Sequence, residues 1–533
     1  PPRPTATRTA LVLAACVAAS ATIVGSAPLA AQTPSAPAPG TPPRPTTAGG
    51  TTGPLGNSAS TPANTTSRNA PGRGAVSLPL ADPFPSTYQP VPSAPTVIRN
   101  VTLLTAAGPA IRNGAILLRD GKIVSIGASV DVPAGATVID GAGKYVTPGI
   151  IDVHSHLGVY SAPGGDALSD GNEATNPTTP YVWAEHSVWP QDPQFPRNLA
   201  GGVTTLQVLP GSANLIGGRS VVLKVVPART VQGMKFPGAK YGLKMACGEN
   251  PKRVYANRGP STRMGNVAGY RTAWIQAEAY RRRWDAWLAG NRQGEPPARD
   301  LGLETLAEVL RGNILVHNHC YRADEMAQML DIAREFGYHV RAFHHGVEAY
   351  KIADLLARDS VAGALWADWG GFKMEAIDAV RANIALVQQA GARAIVHSDD
   401  PSGSQRLNQE AAKAIAAGRA VGIDITEDQA VRWLTINAAW ALGLDDRIGS
   451  LEPGKNADVV LWSGDPFSIY TRAEKVWIDG AMLYDRADPR RQWRTDFELG
   501  FVAPPSSVPP GTPSSPTSTP AAPAGTSPTG GPR

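Results

Sequence analysis

Histidine placement constrains this chain more than any other feature. All nine histidines fall between residues 154 and 397 of 533, and His154, His317, His344 and His397 each directly follow a short apolar run. His156, His319 and His345 lie just beyond such runs. A strand alternates its side chains between two faces, so residues two apart share a face. In GIIDVHSHLG, His154 and His156 therefore point one way and Ser155 the other. Neutral imidazole is the commonest metal ligand. A single buried polar residue at a strand end is ordinarily a satisfied core group. Four clusters in step (GIIDVHSH, ILVHNH, VRAFHHG and AIVHSDDP) point instead to one shared centre.

The apolar runs recur through the middle of the chain, at 149–153, 204–209, 220–225, 241–245, 314–316, 340–343, 363–366 and 394–396. Helical patterns follow several of them, at 322–336, 346–358, 375–389, 407–417 and 426–442. Eight runs alternating with helices predict an α/β fold, a (β/α)₈ barrel of the TIM type over residues 149–446. In such a barrel the functional groups gather at the C-terminal strand ends. β-rich blocks at 96–148 and 447–490 flank it, which predicts one small composite β-sandwich with the barrel inserted.

Composition matters mainly at the ends. Of 49 prolines, 29 lie in residues 1–95 and 501–533. Segments of this Pro/Ser/Thr-rich kind cannot bury enough apolar surface to offset chain entropy. Residues 32–95 are therefore expected to be a disordered linker, and 491–533 an extension ending in a disordered tail. The apolar run 11–31, preceded by Arg3 and Arg8, reads as a secretory signal peptide ending at Ala31, so the chain is expected to be exported, periplasmic or extracellular. Gly25, Ser26 and Pro28 interrupt the run, so no transmembrane span is expected. Cys16 sits in a lipoprotein-like box that would permit anchoring. Outside the two ends, 43 basic and 43 acidic residues balance, which removes the fixed positive charge a nucleic-acid partner would need. The expected partner is a small-molecule or dipeptide substrate, with assembly into a homo-oligomer left open. Cys247 and Cys320 read as two small semi-buried residues, with a disulfide between them as the alternative.

Four motifs then carry a resemblance: VTPGIIDVHSH opening the barrel, GGVTT entering its second strand, SDDPSG at the eighth, and GSLEPGKNADVVLW closing the β-domain. Over roughly residues 96–488 the chain resembles the amidohydrolase superfamily, near its imidazolonepropionase-like and Xaa-Pro dipeptidase-like members. The resemblance implies a hydrolase of carbon–nitrogen bonds. It implies a metal set of His154, His156, Lys244, His317, His345 and Asp399, with Asp399 also the catalytic proton shuttle. His319 is the second choice at the fifth strand. Lys244, carboxylated, would bridge two divalent cations, most simply zinc, and Glu249 is the fallback bridge. The implied chemistry is amide hydrolysis by a metal-activated hydroxide. Two alternatives remain: a mononuclear deaminase or cyclic-amidine hydrolase that needs no Lys244, and a non-catalytic metal-binding scaffold. His186, His339 and His397 match no ligand slot.

Candidate substrate-binding residues are Arg219, beside Gly217-Gly218, Arg263 in a basic stretch after the fourth strand, and His319 and His344. Residues 270–290 read as an insertion or lid helix.

Overall fold

In the computed structural model, which describes residues 78–495, the chain enters through five strands: β1 (Thr96–Leu103), β2 (Ile111–Arg119), β3 (Lys122–Gly127), β4 (Thr137–Asp140) and β5 (Tyr145–Pro148). The expected signal peptide, Cys16 and the tail beyond residue 495 lie outside the described residues. After Gly149 the barrel begins. Its strands are β6 (Ile150–Ser155), β7 (Val203–Val208), β8 (Ile216–Lys224), β9 (Gly242–Ala246), β10 (Leu315–Cys320), β11 (Val340–His345), β12 (Ala362–Leu365) and β13 (Arg393–Val396). The chain then returns through β14 (Val459–Trp462), β15 (Ala473–Ile478) and β16 (Ala481–Asp485).

These strands form a TIM-like barrel, paired in order from β6 to β13, and a separate sheet ordered β16-β15-β14-β5-β1-β2-β3, with β4 beside β1. The second sheet therefore takes strands from both sides of the barrel segment. Its strands pair into one sheet, not two. Ile116 and Ile123 from one side share an apolar cluster with Val459 and Trp477 from the other, so the sheet folds over on itself.

One barrel strand departs from the expected all-parallel pattern. β8 runs antiparallel to both β7 and β9. Only residues 209–215 separate β7 from β8. A parallel crossover needs about a dozen residues or more, whereas a short link can only make a hairpin. The outer face of β8 is covered in part by residues 82–88. Lys235 Nζ meets Asp82 at 2.8 Å, the Phe84 carbonyl at 2.7 Å and Glu185 at 3.1 Å. Phe84 packs edge-on against Trp183, and Tyr88 OH donates to Asp479 Oδ2 at 2.7 Å. The expected disordered linker thus does not extend over this stretch. Three anchoring side chains, Asp82, Phe84 and Tyr88, hold it to the barrel and sheet.

The barrel joins its last strand to its first at the mouth. Asp399 N donates to the His154 carbonyl at 3.1 Å, and Ser398 Oγ to Asp152 Oδ2 at 2.6 Å. Outside the barrel, the helix Arg263–Ala289 starts earlier than its apolar spacing predicts, because Thr262 caps it by accepting from Gly265 N. Tyr280 and Trp284 pack on Ala307 of the helix Leu301–Leu310. The expected helix at 375–389 is confined to Asn383–Gln389, and that at 426–442 breaks at Thr435. No helix among the described residues is long and apolar enough to cross a membrane.

Candidate active site

Strand ends deliver the polar groups to one point. Asp399 Oδ1 lies 3.2 Å from Nε2 of both His154 and His156, and Oδ2 lies 3.9 Å from His345 Nε2. His345 (φ 73°) and Asp399 (φ 65°) both take left-handed backbone, which non-glycine residues seldom adopt. That turn lets the consecutive His344 and His345 both face the lumen. His344 Nδ1 meets His154 Nδ1 at 2.9 Å, and His345 faces Asp399. Such conformations persist only where their surroundings over-determine them, and they concentrate at functional sites.

Two donor sets are close enough to hold a cation: His154, His345 and His397, and His154, His156 and Asp399. Both ring nitrogens of His397, Nδ1 of His345 and His319, and Nε2 of His317 are buried without a hydrogen-bond partner. Buried polar atoms are seldom left so. Imidazole and carboxylate are donors that a divalent cation accepts, so the residues fit one.

Electrostatics favour the same state. Burial drives His154, His319, His344 and His345 well below the usual imidazole range, and His317 and His397 to about 3. All six rings are then neutral at pH 7, with a lone pair each. Burial acts to raise the Asp399 carboxyl, but His345, His156 and His397 outweigh it and hold the group well below the carboxylate range. Burial lowers Lys244 to about 8 and raises Asp152, beneath His154, to about 6.

The family model for the amidohydrolase family matches residues 145–487. The chain belongs to the amidohydrolase family. It is a hydrolase acting on carbon–nitrogen bonds. Amidohydrolase tasK of Hapsidospora irregularis is 32% identical over 458 residues, which cover 78% of this chain but 46% of that relative. Imidazolonepropionase of Mesorhizobium japonicum is 26% identical, covering 69% of this chain and 91% of the relative. The crystal structure of an amidohydrolase from Thermotoga maritima MSB8 superposes with a TM-score of 0.68 at 37% identity, covering 73% of this chain and all of that one.

Within this amidohydrolase the expected residues divide. His154, His156, His345 and Asp399 converge. Lys244 is fully buried, with Nζ 3.4 Å from His154 Nε2. His317 joins the cluster through His344, its Nδ1 2.9 Å from His344 Nε2. His344, expected as a substrate contact, touches two rings of the cluster directly. His319 packs edge-on against His345 and Tyr321.

Other expectations are corrected. Arg219 leaves the lumen. It pairs with Leu243 while its neighbour Gly218 pairs with Lys244, and its guanidinium stacks on Trp183 at 3.9 Å and bonds Thr305. Arg263 is paired through Nε with Glu325 and through Nη2 with Glu375. Glu249, the fallback bridge, pairs with Lys373 at 3.3 Å. Cys247 and Cys320 form a disulfide across the ends of β9 and β10, whose paired strands bring the Cα atoms to 5.2 Å. His397, assigned no ligand slot from sequence, stands among the donors because it directly follows β13. Trp366 was also missed as a site residue. It ends the seventh run and stacks on His345 at 4.2 Å.

Proposed function

We propose that this chain is an exported, metal-dependent amidohydrolase that cleaves an amide C–N bond in a small molecule or dipeptide. The observation that carries the reading is Asp399 Oδ1, 3.2 Å from Nε2 of both His154 and His156 at the barrel mouth. His154, His156, His345 and Asp399 would hold the cation, zinc in our reading. His317 and a carboxylated Lys244 would complete a second position, for which one of the two His344 ring contacts must open so that His154 and His317 both keep a lone pair. A cation bound there lowers the pKa of a water and polarises the substrate carbonyl. Asp399, ionised at neutral pH, accepts the proton of the attacking water and delivers it to the leaving nitrogen. Tyr321 and Trp366 stack on His345 and screen it from bulk solvent.

Two features support export: the apolar run 11–31 behind Arg3 and Arg8, and the Cys247–Cys320 bond, since disulfides persist in oxidising compartments. A mature N-terminus near residue 32 tests it. For the chemistry, Asp399→Asn should lower kcat at least about 100-fold with the fold intact. Unchanged turnover would end the reading.

A second reading, a mononuclear deaminase or cyclic-amidine hydrolase, is favoured by the set His154, His345 and His397, which needs no lysine. Full activity of Lys244→Ala with one metal per chain would select it.

A further inference from the structure

Beside the donor cluster the barrel mouth holds a second space. A cavity of about 270 Å³ opens from His345 and is walled by Trp366, Trp369, Ile377 and Val380, with Arg381 on its rim. Its framework is fixed. Asn383 Nδ2 donates to the carbonyls of Gly346 at 2.9 Å and Val347 at 3.2 Å, which ties the segment after β12 to the one after β11. Trp366 Nε1 donates to the Ser398 carbonyl at 3.0 Å, so the aromatic wall and the Asp399 turn share one support. At the far end of the segment, Lys373 is anchored to Glu249 and Asn250.

Two properties of this space are unexplained by packing. Trp369 (41%), Ile377 (60%) and Val380 (37%) stay exposed on a pinned segment next to the site, where contiguous apolar surface marks a binding function. Arg381 is exposed and has no hydrogen-bond or ion-pair partner among the described residues, whereas Asp368 on the same rim pairs with Lys413 at 3.2 Å.

We propose that this space is the side-chain subsite. It takes the aromatic or bulky apolar side chain of the substrate amide, and Arg381 receives that residue's free carboxylate. The substrate class is then an N-acyl amino acid or dipeptide whose leaving amine is an aromatic or large apolar amino acid. This rests on the C–N hydrolase reading. Water adds across the amide, its hydroxyl going to the carbonyl carbon and its proton to the nitrogen, and an acid and a free amino acid leave.

The test is calorimetric binding to the full Asp399→Asn chain, where turnover does not interfere. The probes are N-acetyl-L-tryptophan, N-acetyltryptamine, which lacks the carboxylate, and N-acetyl-L-alanine, which lacks the ring. N-acetyl-L-tryptophan should bind at least about tenfold tighter than either of the others. Arg381→Gln should erase its advantage over N-acetyltryptamine, and Trp369→Ala its advantage over N-acetyl-L-alanine. Equal affinities, no binding of any probe, or no effect of Arg381→Gln overturns the proposal. If the ranking holds but the unmodified chain hydrolyses no amide, the proposed amide cleavage fails and the subsite stands.

Discussion

His154 and His344 meet through their Nδ1 atoms at 2.9 Å, and His344 passes on to His317 through Nε2 at the same distance. Three neutral rings carry three protons, and two of these lie between rings. His344 therefore decides which outer nitrogen of the chain keeps a lone pair. Partners that fix the tautomer of a ligating histidine typically contribute about 10–100-fold in metal affinity. His344→Phe, which fills the space without hydrogen bonding, should lose that much in competition with a chromogenic chelator. Unaltered affinity with unaltered circular dichroism would refute the role.

The Cys247–Cys320 bond closes a 73-residue separation at the mouth of the barrel. By chain entropy, a loop of that length constrains the unfolded state by about 4 kcal/mol. Cys247→Ser with Cys320→Ser should lower the urea midpoint accordingly, and reductant should do the same to the unsubstituted chain. A midpoint unmoved in both would mean the bond contributes nothing to stability.

Much of this was legible in the sequence, for identifiable reasons. A buried strand needs an apolar run, and each of the eight runs overlaps a barrel strand. Histidines that follow such runs must sit at strand ends, so the convergence of His154, His156 and His345 could be read. Strand direction could not be read from the run at 220–225, although the short link at 209–215 carried the signal. Arg219 misled because proximity to a glycine-rich turn says nothing about which face of the strand it occupies. The contacts of Asp82 and Tyr88 were illegible because their partners, Lys235 and Asp479, lie far along the chain and no local pattern pairs them.

Lys224 Nζ lies 2.9 Å from Asp479 Oδ2 and 3.4 Å from Asp458 Oδ2, with all three side chains buried. A barrel strand, the composite sheet and Tyr88 meet there. Lys224→Met leaves two buried carboxylates without their cation, which should cost about 3–5 kcal/mol. Burial raises the Asp458 carboxyl, and Lys224 acts against that rise. A raised carboxyl binds more protons folded than unfolded, so its stability contribution falls as pH rises from the ordinary carboxyl pKa through the raised one. Removing Lys224 enlarges the rise. The variant's deficit should therefore narrow on acidification toward about pH 4. Urea unfolding at several pH values would show it, and a deficit constant with pH would contradict the assignment.

Lys244 is fully buried in β9, and burial lowers its ammonium to about 8, with Asp399 acting against the shift. A carbamate forms from CO₂ and the neutral amine, and below that pKa the neutral fraction falls about tenfold per pH unit. If Lys244 is carboxylated, metal-stripped protein given zinc at fixed dissolved CO₂ should regain activity many-fold faster at about pH 8.5 than at about pH 6.5. Lys244→Arg should lose both the activity and its CO₂ dependence. A carbamate signal from ¹³C-labelled CO₂ supplies a readout independent of turnover. Equal recovery at both pH values with no such signal would place this amidohydrolase with enzymes that need no bridging lysine, and His154, His345 and His397 would then be the set to test by substitution.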